Sequence, residues 1–458
     1  MPRRPTNVPR RAGQAARIDL ADIQGNVLRG YTMPAAAYLW LRIVDVERAC
    51  ALMTRMLPQV MTAQPWTSRP EAAMNVAFTF AGLSALGLSD PVLASFPEAF
   101  REGMAARAER LGDRGPSAPS QWEFSDAHVL VTVHAVDADR LRAALASILA
   151  ADVENGVELV HLQRAESLLG GTDHFGFFDG IAQPAVAGAG VEPRPGDGQP
   201  DGAGGWRELA TGEIVLGYVD EDGRVPAAPA PPFDRNGTFV VYRKLAMDTA
   251  AFRRYVAGAG YPGGPLQLAA KIVGRWPDGT PLAVSPDHPD AAVASDQRRI
   301  NDFGYADDPL GERCPLGAHI RRANPRDAEG FFGGRLTNRH RIVRRGRPYG
   351  PPLPPGVLED DGVERGLIFV CFQADLWRQF ETIQALWIDD GDPFGLGRDK
   401  DFLVGEPHGT QGKMTIQGRP PFFLKPQPRF VTLRGGDYLF QPSMTGLRHL
   451  AELRRRGR

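Results

Sequence analysis

Two stretches of this 458-residue chain concentrate residues able to do chemistry. In CPLGAHIRRANPR, His319 stands between Gly317 and Pro325 with Arg321, Arg322 and Arg326 crowded around it. An imidazole with one nitrogen free can hold a metal, porphyrin iron included, and a neighbouring guanidinium pairs well with carboxylates such as propionates. The same setting suits a histidine that only satisfies core hydrogen bonds, or a zinc ligand shared with Cys314, although no second paired motif accompanies them. In GTDHFGFFDGIAQP, the Asp179-Gly180 step is first a turn signal. Phe175, Phe177, Phe178 and Ile181 place apolar bulk around it, which makes Asp179 a candidate for a partly desolvated acid/base group.

Two further stretches supply a cation and a wall. HRIVRRGRPYG, residues 340–350, reads as a strand ending in a Gly-Arg-Pro turn, and an arginine aimed inward there would stabilise negative charge on a bound oxygen. In GLIFVCFQADLWRQFETIQALW, alternation puts Leu367, Phe369 and Cys371 on one strand face, while Leu376, Phe380, Ile383 and Trp387 form a helical stripe. Such faces suit core packing and would serve equally as the dry wall of a pocket.

The elements that must position these groups follow from periodicity. Ala36–Val46, Ala73–Phe80 and Ala127–Val136 read as strands, and Glu47–Met61 and Asp137–Ala151 as helices, the first of them ended early by Pro58. Between Val186 and Pro232 the chain turns rich in Gly, Pro and Asp, marking a linker or elaborated loop. The rhythm then restarts with Thr238–Leu245 as strand, Asp248–Ala257 as helix, Gly366–Phe372 as strand and Leu376–Trp387 as helix. The expected organisation is an arm at 1–17, an N-terminal α+β half at 18–185, the loop at 186–234 and a C-terminal α+β half at 235–458.

Composition sets outer bounds. Apolar residues at 43% and charged residues at 23% describe an ordinary folded chain, and a formal charge of −1 gives no field for nucleic acid or an anionic membrane. Three scattered cysteines imply no disulfide framework. Arg3-Arg4 is not followed by an apolar run, and no segment is long and apolar enough to span a bilayer, so the expected location is cytoplasmic. The oligomeric state is not legible.

Taken together these clusters resemble the dye-decolourising peroxidase family, larger-member subgroup. The likeness runs from Asp22-Ile23-Gln24-Gly25-Asn26 through the four clusters to Gly395-Leu396-Gly397 and Asp401-Phe402-Leu403-Val404-Gly405. It implies an α+β fold of two ferredoxin-like halves, of the dimeric α+β barrel type, forming one haem-binding unit. It implies haem b, with His319 as iron ligand, Asp179 as distal acid/base group, Arg344 as distal arginine, and Leu367 and Phe369 as the distal wall; Arg321, crowded beside His319 in sequence, is the expected cofactor-binding arginine at the haem edge. Glu381 is the expected carboxylate on the far nitrogen of His319, with Asp375 competing for that place. The implied activity is reduction of hydrogen peroxide through an oxoferryl intermediate, with a reducing organic substrate such as a dye or phenol as donor. Tyr349 matches a tyrosine that some relatives use for surface electron transfer, and Trp377 is a second candidate on helical spacing. A haem carrier without turnover, or a haem-iron-removing enzyme on the same fold, are the alternatives. Two departures from the family pattern stand out: Asp173 where relatives often carry Glu, and Arg347 before Pro348-Tyr349.

Overall fold

A computed structural model describes residues 17–149, 156–201, 205–407, 413–424 and 429–453. The arginine-dense ends at 1–16 and 454–458 lie outside the described residues. Among the described residues no helix is long and apolar enough to cross a membrane.

In the N-terminal half, β1 (Ala35–Ile43) leads through helix α1 (Val46–Met56) to β2 (Ala72–Phe78). Strand β3 (Val129–Ala135) leads through α2 (Ala138–Leu149) to β4 (Val157–Glu166). Asp45 caps α1 by accepting from Arg48 N at 3.0 Å, and the chain passes into a 3-10 turn at Leu57–Gln59, where Pro58 is compatible with the tighter winding. In the C-terminal half, β5 (Thr238–Met247) is followed by α3 (Thr249–Gly258), α4 (Gly264–Val273) and the short α5 (His319–Ala323). Two strand fragments, β6 (Val343–Arg344) and β7 (Arg347–Tyr349), then precede β8 (Gly366–Gln373), a π-helix (Trp377–Ile388) and β9 (Val431–Gln441). The segment expected as a strand ending in a Gly-Arg-Pro turn instead breaks at Arg345-Gly346 and resumes as strand through Arg347-Pro348.

These nine strands form one antiparallel sheet in the order β4-β1-β3-β2-β9-β5-β8-β6, with β7 also on β8. Each half repeats the same order: the last strand beside the first, then the third, then the second. This is the ferredoxin-like β-α-β-β-α-β unit, used twice. The halves join where β9 meets β2 at Phe440 and Phe78, and β4 comes against β7 at the other edge. Arg347 fastens that second seam by donating to Ser167 Oγ and, at 2.6 Å, to the Tyr31 carbonyl.

Strand alternation divides the core in two. Tyr38, Trp40, Tyr242 and Phe372 pack on one face, with Trp40 and Tyr242 ring centroids 5.0 Å apart. Leu39, Phe78, Val241 and Phe440 pack on the other, beneath α1 and α2. The loop carrying Asp179, grouped by sequence with the N-terminal half, packs on the C-terminal one: the Phe175 ring lies tilted against Phe252 with centroids 4.7 Å apart, and Phe178 N donates to the Pro277 carbonyl at 2.9 Å.

Candidate active site

A cavity of about 320 Å³ lies in the C-terminal half and gathers most of the residues singled out above: Asp179, His319, Arg344, Leu367 and Phe369 all line it. That volume is at the lower end of the range usual for cofactor and small-molecule sites. Its walls are Leu367 and Phe369 from β8, Leu245 and Met247 from β5, Val273 from α4, and Phe380, Ile383 and Trp387 from the π-helix. The hydrogen bonds Leu376 O to Glu381 N (2.9 Å) and Gln384 O to Asp389 N (3.1 Å) show the i to i+5 winding of that helix. Such windings recur at functional sites.

His319 opens α5. Its Nδ1 donates to Asp401 Oδ2 at 2.8 Å, so Nε2 is the nitrogen left to ligate. Burial lowers the proton affinity of the imidazole, but the charge and hydrogen bond of Asp401 more than reverse this, and the net shift is upward. Asp401 is fixed in turn: its Oδ1 accepts from Leu403 N and Val404 N, both at 2.9 Å, in an Asx turn within DFLVG. The charge and hydrogen bond of His319, helped by Arg322 and the Val404 N–H, hold the carboxylate below its usual range despite burial.

This corrects the expected partner. Glu381 does not meet His319: it accepts two bonds of 2.5 Å from Arg107 and one of 2.9 Å from Tyr438 Oη. Asp375 instead accepts from Arg378 N at the start of the π-helix. Arg321 is also displaced from its expected role. It is buried against Asp308 (3.0 Å) and the Cys314 carbonyl (2.7 Å) and does not line the cavity. Arg322 bonds the carbonyls of Trp387, Asp390 and Asp399, tying α5 to the segment that carries Asp401. Cys314, the possible zinc ligand, is fully buried off the cavity with its thiol pushed up to about 11 by burial, and no metal-ligating cluster occurs among the described residues.

Five other arginines line the cavity. Arg243 and Arg429 are paired with Asp113 and Glu406, whereas Arg275, Arg326 and Arg341 are in no ion pair among the described residues. Arg275 donates to the Gly279 and Ile300 carbonyls, and Arg326 to those of Asn301 and Phe303. Burial and the neighbouring Arg326 pull the Arg275 guanidinium down to about 9 and that of Arg341 to about 10. Crowded, carbonyl-bonded cations beside an apolar cavity suit a flat apolar ligand with anionic groups. A haem, apolar in its ring and carrying two propionates, fits that donor set and the free Nε2 of His319.

Asp179 and Arg344 stand together, with Arg344 Nη1 3.8 Å from Asp179 Oδ1. Both glycines of GFFDG adopt left-handed φ, +96° at Gly176 and +85° at Gly180, which places the carboxylate on a tight turn. Arg344 is held on β6 by pairing with Cys371 and by donating to the Ile181 carbonyl at 2.8 Å. The enclosed carboxylate of this loop is Asp173 rather than Asp179, whose side chain is 45% exposed. Burial pushes Asp173 up to about 7, and its Oδ1 accepts from Phe177 N at 3.0 Å, bracing the hairpin.

The electron-transfer candidates separate clearly. Tyr349 is only 4% exposed, its hydroxyl donating to Glu364 at 3.1 Å, so it is not a surface residue. Trp377 is 54% exposed, with the Arg110 guanidinium 4.3 Å from its ring centroid.

These parts define an α+β barrel protein whose cavity presents a histidine with its Nε2 free, an aspartate and an arginine. Comparison with known proteins agrees: residues 22–166 match the DyP dimeric alpha+beta barrel domain, and residues 220–394 the C-terminal domain of Dyp-type peroxidases. Dye-decolorizing peroxidase msp1 of Mycetinis scorodonius is 30% identical over 95% of this chain and 88% of its own length. The multifunctional dye peroxidase DyP2 of an Amycolatopsis species is 30% identical over 96% of this chain and 97% of its own. The solved DyP-type peroxidase of Auricularia auricula-judae superposes with a TM-score of 0.83 at 27% identity, covering 95% of this chain and 100% of that one. Solved relatives also include one with 2,6-dimethoxyphenol (26% identity, TM-score 0.80, 95% and 100% covered). The likeness to a Yersinia pestis deferrochelatase is 36%, but over 26% of this chain and 23% of that protein. The chain belongs to the dye-decolorizing peroxidase family and is a DyP-type peroxidase. The family is haem-dependent.

Proposed function

We propose that this chain reduces hydrogen peroxide and oxidises dyes and phenols with haem b, held through His319. The observation that carries the reading is one cavity in which a histidine anchored by Asp401 shares the space with an Asp179–Arg344 pair. When bound, the haem supplies the iron centre at which peroxide is reduced. His319 Nε2 is the ligand, and Arg275, Arg326 and Arg341 are the groups suited to hold its propionates. Asp179, as a carboxylate, takes a proton from one oxygen of the peroxide and delivers it to the other. Arg344 stands beside that transfer, where its guanidinium lowers the energy of negative charge gathering on the departing oxygen. Leu367 and Phe369 keep the space apolar and narrow, so bulky donors react at the surface, where Trp377 is the exposed candidate.

An iron-removing role has weaker support, because the deferrochelatase likeness is confined to about a quarter of the chain. A carrier role leaves the Asp179–Arg344 pair without a task. The test is an absorption spectrum of the haem-loaded protein before and after one equivalent of peroxide, followed by addition of 2,6-dimethoxyphenol. A Soret band absent from His319→Ala, and a phenol oxidised only with peroxide, are expected. Full haem retention in His319→Ala, or porphyrin released without phenol oxidation, would overturn the proposal.

A further inference from the structure

The network that occupies Glu381, made with Arg107 and Tyr438, does not touch His319. A phenol that gives up an electron becomes a strong acid, so a buried tyrosine carries a hole only if a base already accepts its hydroxyl hydrogen. Tyr38 and Tyr242 bury their hydroxyls without an acceptor, and Tyr31 and Tyr218 donate to the amide oxygens of Asn75 and Asn236, which are poor bases. Tyr438, 1% exposed on β9, donates to a carboxylate, Glu381 Oε1, at 2.9 Å. Burial and that carboxylate keep the phenol protonated in its resting state.

Its position is equally specific. Phe380 lines the cavity, lies 6.1 Å from Phe369 on the distal wall, and packs edge-on against the Tyr438 ring at 6.2 Å. On the other side Glu381 is gripped by Arg107, whose guanidinium lies 5.8 Å from the centroid of exposed Trp377. Tyr349 also has a carboxylate acceptor, but among the described residues no aromatic ring of the cavity wall packs on it.

We infer that Tyr438, with Glu381 as its proton acceptor, is a buried radical relay between the haem cavity and the surface Trp377. The inference rests on the peroxidase reading above. The peroxide-oxidised site takes one electron from Tyr438 while the hydroxyl proton passes to Glu381, leaving a neutral tyrosyl radical. A donor at the surface then gives one electron by way of Trp377, and Glu381 returns the proton. Arg107 and Arg110 favour the neutral indole ring and oppose positive charge on it, so a hole on Trp377 is strongly oxidising and short-lived. The radical therefore rests on Tyr438.

The test is freeze-quench electron paramagnetic resonance of the haem-loaded enzyme after peroxide, with ring-deuterated tyrosine to identify a tyrosyl signal. Tyr438→Phe keeps the ring and the Glu381–Arg107 pair, so a folding failure is not expected. Its tyrosyl signal should be lost, while Tyr349→Phe keeps it. In Trp377→Phe the signal should form and then outlast the parent's when a bulky dye is added. A signal that survives in Tyr438→Phe, or a parent that shows none although its Soret band responds to peroxide, overturns the relay. A parent whose Soret band does not respond overturns the haem-site reading and the relay with it.

Discussion

Replacing Asp401 by Asn tests the part of the site on which His319, the proposed haem ligand, depends most. Asp401 is 1% exposed and accepts three hydrogen bonds, two from backbone N–H groups through Oδ1 and one from His319 through Oδ2. An asparagine has one oxygen to offer. Two backbone donors outcompete one imidazole for it, so the amide NH2 turns toward His319 Nδ1. Nδ1 must then accept, the ring proton moves to Nε2, and the nitrogen needed for iron is blocked. A hydrogen bond to a charged partner contributes about 1.5–3 kcal/mol. Loss of a partner behind a metal ligand typically costs about 10–100-fold in affinity, which is about 1.4–2.8 kcal/mol. The two ranges overlap, and the tautomer argument selects the upper end, roughly 100-fold faster haem loss into excess apomyoglobin if the association rate is unchanged. In the haem-free protein the His319 titration, followed by nuclear magnetic resonance, should also move. The parent's net upward shift, set by Asp401 against burial, should become a downward one. Haem release at the parental rate in Asp401→Asn, with release accelerated in Glu381→Gln instead, would refute the reasoning and restore Glu381 as the partner.

Asp179→Asn, which retains haem, should slow the response of the Soret band to peroxide by roughly 100-fold, and Arg344→Leu should do likewise; parental rates in both variants would remove them from the chemistry. Arg341→Met should weaken haem binding yet raise the melting temperature of the haem-free protein, because it deletes a half-buried cavity-facing cation pulled down to about 10 by desolvation and by Arg326; a lower melting temperature would show that the guanidinium's bonds outweigh its desolvation cost. Asp173, raised to about 7, binds its proton more tightly folded than unfolded, so its stability contribution is present at low pH and is lost as pH rises from about 4 through about 7. Asp173→Asn should flatten that part of the haem-free protein's stability profile, and an unchanged slope in calorimetry would show that Asp173 does not titrate there.

The halves of the barrel were legible where strands are apolar and uninterrupted, as at Ala35–Ile43 and Gly366–Gln373. Strand β9 was not, and the reason is physical. Its middle reads Arg434-Gly435-Gly436-Asp437, a poor strand by composition, because close packing excludes side chains there. A Cβ on Gly435 would lie 2.6 Å from the Phe124 ring, and one on Gly436 2.5 Å from the Tyr242 carbonyl, while the register shifts between Leu433 and Gly435. Since β9 bridges β2 and β5, missing it hides that the two halves share one sheet.

The site divides along the same line between local signal and remote contact. Asp179, His319 and Arg344 each sit in a motif whose short-range chemistry is visible, and each lines the cavity. Asp401 lies 82 positions from His319, and its own motif, DFLVG, shows only a turn. Nothing in residue spacing says that the turn's second carboxylate oxygen is spare. Glu381 was the nearer choice because an α-helix would carry it on a usable face; the actual helix winds with a π register, and Arg107 and Tyr438 meet the carboxylate instead. Arg321 and Arg275 show the same inversion. Proximity in sequence put Arg321 at the haem edge, yet the tight α5 turn directs it into Asp308, whereas Arg275, far upstream of His319, reaches the cavity from just beyond the end of α4. Around His319 the adjacent Arg321 and Arg322 are spent on fixing the backbone, so the carboxylate that orients the imidazole comes from elsewhere in the chain.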